Sequence, residues 1–296
     1  MRLATIRWNG TEEAALVMAD GFLPLRKLNE YTDENWPTDL FTLIETGELE
    51  LLKRWLCEEF KRMPKGALEE SLMPFSEADY APLYRYPRKI WGIGLNYAEH
   101  AADLKEVPPD TEPASFLKPD TTIIGPGDVI QLPKQSGRVT AEAELGIIIG
   151  QECKNVSPED AFDVVAGFTT IIDMTAEDIL EKNPRYLTRA KSFDTFFSFG
   201  PELVTPDEVE AVLELNVATV KNGEVHRKNS VSNMTFRPRD LIAFHSAVMT
   251  LLPGDIISTG TPGAAVIRDG DVVECRIDGF QTLHNSVEDL KIPGRE

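Results

Sequence analysis

Glu142 and Glu144 stand two residues apart at the head of the run AEAELGIIIG, and Asp173 closes the run GFTTIID. In an extended strand successive side chains alternate faces, so the two glutamates project from one face. Like charges held beside the apolar stretch Leu145 to Ile149 are costly to desolvate unless a cation or hydrogen-bond donors compensate them. A hard divalent cation would do so, and an all-oxygen set selects Mg²⁺, Mn²⁺ or Ca²⁺ over zinc. A solvated edge strand with two surface glutamates is the other reading of the fragment. His100 and Asp103, three residues apart in the helix-like NYAEHAADL, share a face and could hydrogen-bond, which by itself is an ordinary helix-surface pair.

Two regions must position these residues. Residues 1–85 read as a small α+β domain with a connector, and residues 86–296 as the larger, strand-rich domain. The first opens with short strands around the turn candidates Asn9-Gly10 and Asp20-Gly21. A helix follows, with Leu49, Leu52, Leu56 and Phe60 at helical spacing. Pro74, Pro82 and Pro87 then mark an extended connector. From Ile90 a strand, IWGIGLN, runs into the helix carrying His100. Ser157 as N-cap and Pro158 at the first helical position predict a helix start. A second helix over FRPRDLIAFHSAVMTLL carries Leu241, Phe244, Val248 and Leu251 on one stripe, and between these helices a hairpin turns at Asn222-Gly223. The order is mixed α/β and β-rich, without the regular alternation of a doubly wound sheet. There is no phosphate-binding glycine loop; the Gly92 and Gly94 pair after a strand lacks a third glycine.

The chain of 296 residues has 42% hydrophobic and 27% charged residues, ordinary proportions that argue against disorder. Its net charge of −19 disfavours nucleic acid and anionic membrane surfaces as partners. A small anionic substrate is compatible with that charge, because a bound cation and pocket lysines reverse the sign locally. Cys57, Cys153 and Cys275 form no C-x-x-C, so neither a disulfide framework nor a zinc ribbon is indicated and a cytoplasmic location is expected. The N-terminus lacks the apolar core of a signal peptide.

Five segments in order, GLNYAEHAADL, AEAELGIIIG, GFTTIIDMTAED, AKSFDTFFSFGP and PGDIISTGTPG, resemble the fumarylacetoacetate hydrolase superfamily from about residue 88 onward. The resemblance implies a β-roll catalytic domain preceded by a small N-terminal domain. It also implies a Mg²⁺ or Mn²⁺ ion on Glu142, Glu144 and Asp173, and a homodimer. The expected substrates are 2-oxo or diketo acids, cleaved with water, decarboxylated or isomerised through an enolate. On the same basis His100 and Asp103 activate water, Lys191 binds the substrate carboxylate or the developing oxyanion, and Lys118 and Thr261 bind substrate. His226, His245 and His284 have no comparable partners, and His245 reads as a core histidine.

Three positions depart from the family pattern. Thr140 stands where an Asp is frequent, Ile172 replaces an Asn, and Glu177 replaces an Arg that would bind an anionic substrate group. The leading reading is a metal-dependent hydrolase cleaving a C–C bond in acylpyruvate-like or diketo acids. The second is an oxaloacetate-type decarboxylase or keto–enol isomerase on the same site. The third, prompted by the three departures, is a catalytically reduced member that binds a metabolite. The segment from Asn96 to Thr111, polar and rich in turn residues, is expected to form a lid.

Overall fold

The computed structural model describes residues 1–8, 10–32, 34–60, 72–103 and 109–295, the side chains of Ala102 and Asp103 excepted. The elements run in this order: β1 (Arg2–Trp8), β2 (Thr11–Val17), β3 (Phe22–Pro24), α1 (Leu25–Tyr31), α2 (Leu40–Glu45), α3 (Glu48–Glu58), β4 (Ile90–Gly94), α4 (Ala98–Asp103), β5 (Ala114–Lys118), β6 (Ile123–Ile124), β7 (Val129–Leu132), β8 (Val139–Ile149) and β9 (Val165–Ala176). There follow α5 (Glu177–Lys182), α6 (Leu187–Lys191), β10 (Phe197–Val204), β11 (Asn216–Lys221), β12 (Glu224–Ser230), α7 (Pro238–Val248), β13 (Ile256–Ser258), β14 (Ala264–Ile267), β15 (Val272–Ile277) and β16 (Leu283–Asp289).

Strands β8 and β9 form the centre. They are long, antiparallel and buried along their whole length, so both faces of the sheet are covered. Around them the described residues build an 11-stranded sheet in the order β3-β2-β1-β10-β9-β8-β13-β4-β5, with β14 added on β8 and β6 on β10. One face, through Ala141, Ala143, Leu145 and Ile147, packs on a 5-stranded sheet that contributes Val217, Val273, Ile277 and Leu283. The other face carries Ile148 and Ile171 against Leu28, Leu40, Leu43 and Leu52 of α1 to α3. The protein is thus mixed α/β and sheet-rich. Strand β1 pairs antiparallel with β10, so one continuous sheet crosses from residues 1–85 into the rest of the chain.

Local signals and observed elements agree where the chain's own neighbours set the geometry. Helix α3 buries Leu49 and Leu52, and Asn222 and Gly223 both take positive φ in the β11–β12 turn, as a two-residue hairpin loop requires. Two expectations are corrected. The start at Ser157 does cap, accepting from Asp160 N at 3.2 Å, but gives only a turn and a 3₁₀ segment, Ala161–Val164, because Val165 enters β9. In α7 the buried side is Leu241, Ile242 and His245, while Val248 is 52% exposed. His245 is fully buried, its ring against Trp91. Among the described residues no helix is long and apolar enough to cross a membrane.

Candidate metal centre and adjoining cleft

Register decides the site. Glu142 of β8 sits directly opposite Asp173 of β9, and directly opposed residues share a face, so Asp173 joins the face that alternation already gives Glu142 and Glu144. One carboxylate oxygen from each lies within 4.8 Å of the others, and all three residues are buried.

The cluster is held by donors from β9 itself and from three other segments. Thr175 Oγ1 donates to Glu142 Oε1 at 2.9 Å. Ser258 Oγ and Gly260 N donate to Glu144 Oε2 at 2.5 and 2.7 Å. Lys191, at the end of α6, donates to Glu142 Oε2 at 2.8 Å and Asp173 Oδ2 at 2.6 Å. Lys118, on β5, donates to Asp173 Oδ1 at 2.5 Å and has no exposed side-chain surface. Gly260 has φ +96, and a Cβ there would stand 2.8 Å from Asn96 Cβ, so glycine allows its N–H to reach Glu144.

Electrostatics follow from this crowding. Burial favours neutral Asp173, yet the Lys118 and Lys191 ammoniums hold it below the usual carboxylate range. Burial likewise opposes a charged Lys191, but Asp173 and Glu142 hold it above the usual lysine value. Lys118 is pushed down by burial against the pull of Asp173. Glu144 has no ammonium of its own; burial and the charges of Asp173 and Glu142 push it up to about 8. Glu144 Oε1 accepts no hydrogen bond among the described residues. A hard cation fits this set: three carboxylates face one another, two ammoniums leave one negative charge unmatched, and one ligand oxygen is free.

Beside the cluster lies a cleft of about 600 Å³ lined by His100, Arg138, Thr140, Glu177, Glu181, Lys221, His226, Arg227, Ala264, Val266 and Arg268. The three carboxylates do not line it, but it abuts them: Thr140 is two residues before Glu142 on the same face of β8, and Ala264 of β14 pairs with Glu142. His100 is 6% exposed in its wall. Its helix α4 is pinned by Asn96, whose Nδ2 donates to Thr259 O and Phe236 O and whose Oδ1 accepts from Phe236 N. The side chain of Asp103, and residues 104–108 of the expected lid, lie outside the described residues. Thr261 Oγ1 exchanges hydrogen bonds of 3.2 Å with Gly263, closing its own turn.

The three departures separate in space. Ile172 is fully buried on the opposite face of β9, in the inter-sheet core. Thr140 lines the cleft. Glu177 is ion-paired with Arg138 Nε, so the acid is already neutralised by a cation four residues before Glu142. Sequence reasoning missed Thr175, two residues beyond Asp173 on β9, and Ser258 and Gly260, which come from a segment distant in the chain. It also left out Arg138, Lys221 and Arg227, and it set aside His226, which lines the cleft with Nε2 3.0 Å from Ala264 O. Thr175 had a readable signal, the period of two from Asp173 along β9.

Comparison with known proteins agrees with this geometry. The profile described as fumarylacetoacetate (FAA) hydrolase C-terminal matches residues 89–288. The human protein named oxaloacetate tautomerase FAHD2B, mitochondrial, is 35% identical over 266 residues, 86% of this chain and 81% of its own. An uncharacterized protein of Methanocaldococcus jannaschii is 45% identical over 204 residues, 69% of this chain and 84% of its own. Among solved structures, maleylpyruvate hydrolase from Sphingobium sp. SYK-6 in complex with manganese(II) and pyruvate superposes with TM-score 0.79 at 29% identity, covering 98% of this chain and 99% of that one. A 5-carboxymethyl-2-hydroxymuconate delta-isomerase from Mycobacterium smegmatis gives 0.74 at 31% identity, covering 98% and 99%.

Proposed function

The chain belongs to the fumarylacetoacetate hydrolase family, and from that membership we propose that it is a divalent-metal-dependent hydrolase cleaving a C–C bond in acylpyruvate-like or diketo acids. The observation that carries the reading is the buried cluster of Glu142, Glu144 and Asp173 next to a cleft with His100 in its wall. Mg²⁺ or Mn²⁺ on those three residues would supply an electron sink for charge developing on the 2-oxo oxygen.

The chain's own residues do the rest. Thr175, Ser258 and Gly260 fix the carboxylates in place, the kind of outer support that keeps ligating groups oriented. Lys118 acts through Asp173, keeping it ionised. Lys191 does the same and offers its ammonium to the developing oxyanion. His100, oriented by the Asn96 anchor and partnered by Asp103, takes a proton from the water that attacks the distal carbonyl. Thr261 contacts a substrate oxygen. The cytoplasmic location and homodimer are part of the same proposal.

Keto–enol tautomerisation of an oxaloacetate-type acid is the second reading. The human relative favours it, since its likeness covers 86% of this chain, more than the catalytic region alone. That reaction uses the same cluster without a water nucleophile. A panel of acylpyruvates and oxaloacetate, assayed with Mn²⁺ or Mg²⁺ and again with chelator, tests both. Hydrolysis predicts chelator-sensitive loss of diketo acid with one pyruvate formed per turnover. Chelator-sensitive enol–keto interconversion without cleavage moves the conclusion to the second reading. No turnover on either class defeats both and leaves metabolite binding.

A further inference from the structure

We propose that Phe116 is a positioning residue for Lys191: its ring, laid across Gly92, attracts the ammonium and keeps it against Glu142 and Asp173 without consuming its third N–H, which is left for a substrate oxygen. That last clause rests on the proposed function. The seating of the ammonium does not.

Strand register brings the ring there. Phe116 of β5 pairs with Gly92 of β4, Gly92 with Ser258 of β13, and Ser258 with Gly146 of β8. Paired residues share a face, so these four form one row across the sheet, and Glu144 stands two residues from its end on the same face. Phe116 is the one bulky side chain in the row. A Cβ on Gly92 would run into the far edge of the Phe116 ring, at Cζ, Cε1 and Cε2, so the ring leans from the edge strand across β4. Gly92 does not take a left-handed φ, so its backbone does not require glycine; the space for the ring does. Lys118, two residues beyond Phe116 on β5, projects from the same face and reaches Asp173.

Charge explains why an aromatic ring suits this place. Lys191 Nζ lies over the ring, 5.0 Å from its centroid, inside the roughly 6 Å within which the negative face of a ring attracts a cation. The ring is buried, yet it belongs to neither apolar core on the two faces of the sheet, so its burial serves this contact rather than the cores. Lys118 and Lys191 donate to the two different oxygens of Asp173, which sets two ammoniums side by side. They repel, and the ring offsets that repulsion on the Lys191 side. Two of the three N–H groups of Lys191 are taken by Glu142 and Asp173, and among the described residues no third acceptor is present. A carbonyl or hydroxyl in place of the ring would accept the third N–H; a ring face attracts the charge and leaves that donor unspent.

The test places mono-, di- and trifluorophenylalanine at position 116 of the full-length protein, a series that keeps the ring's shape while withdrawing negative charge from its face. In urea unfolding with EDTA the folded-to-unfolded ratio should fall stepwise, by roughly 5- to 10-fold at trifluorophenylalanine. Packing alone predicts the opposite sign, because fluorination adds apolar surface. In a Lys191→Met background the series should be flat. Cyclohexylalanine at the same position fills the space without a charged face and should match trifluorophenylalanine, a comparison that does not depend on how well Lys191→Met folds. A flat or rising series in the wild-type background, or an equal fall with methionine at 191, overturns the inference. Oxalate binding to the Mn²⁺-loaded protein, followed by calorimetry, should weaken roughly 3- to 10-fold with trifluorophenylalanine, and unchanged affinity overturns the assignment of the third N–H to a substrate oxygen. If wild-type protein binds no oxalate the proposed function falls, whereas the unfolding series still decides whether Phe116 seats Lys191.

Discussion

Lys191→Met removes the ammonium that bridges Glu142 and Asp173 at 2.8 and 2.6 Å. The Lys191 side chain is 7% exposed and its Nζ lies 5.0 Å from the Phe116 ring centroid, so methionine of similar length keeps the packing and deletes only charge. The variant is left with three buried carboxylates and one compensating cation, Lys118. Breaking a buried pair by removing one partner costs about 3–5 kcal/mol, because the other charge stays buried. At about 2 °C per kcal/mol for a chain of this size, the metal-free variant should melt about 6–10 °C below wild type. A divalent cation replaces the missing charge, so excess Mn²⁺ should close most of that gap. The assay is thermal unfolding by circular dichroism in EDTA and in Mn²⁺. A variant melting in EDTA within about 2 °C of wild type, a shift of about 1 kcal/mol, would refute charge compensation by Lys191. A gap that Mn²⁺ leaves unchanged would refute a metal site at the cluster.

Glu144, raised from its ordinary 4.5 to about 8, holds a proton in the native metal-free chain that the unfolded chain releases. Its contribution to stability is therefore lost as pH rises from about 4.5 through about 8 and is level beyond; Glu144→Gln should flatten that slope in urea titrations, and an unaltered slope counts against the assignment. Glu142→Ala, Glu144→Ala and Asp173→Ala should each abolish Mn²⁺ binding by electron paramagnetic resonance while far-ultraviolet circular dichroism is retained; tight Mn²⁺ binding in any of them places the metal elsewhere. His100→Ala and Asp103→Asn should keep Mn²⁺ affinity but lower hydrolytic kcat by roughly 10²–10⁴, and wild-type rates in both would end the water-activation mechanism. Gly260→Ala places a Cβ against Asn96 at positive φ and should cost about 1–3 kcal/mol in urea unfolding together with weaker Mn²⁺ binding; neutrality would show that the Gly260 N–H does not support Glu144.

Local pattern was enough to find the carboxylates. The period of two in AEAELGIIIG places Glu142 and Glu144 on one face whatever the rest of the fold does, and the Asn222-Gly223 turn follows from residues that accept positive φ. Helix α3 was equally legible, its buried leucines being spaced by the helix itself. Where the outcome depended on partners distant in the chain, the same reasoning failed. Ser157 caps a turn correctly, yet the helix it announces gives way because β9 claims Val165. The stripe on α7 was misplaced by a fraction of a turn because what the helix packs against decides which side is inside.

The candidate site divides in the same way. The sequence supplied the ligand types and the helix bearing His100, together with a family whose motifs name Lys118, Lys191 and Thr261. Only the tertiary structure set Asp173 opposite Glu142, brought Ser258 and Gly260 to Glu144, and paired Glu177 with Arg138. It alone seats the Arg227 stem on Gly263, 36 residues further on, and puts His226 in the same wall. The physical reason is range. Backbone preference and side-chain periodicity act between near neighbours and are written in consecutive residues, whereas strand register and the docking of a hairpin on a loop are fixed by burial and hydrogen bonding among segments that meet only once the chain has folded.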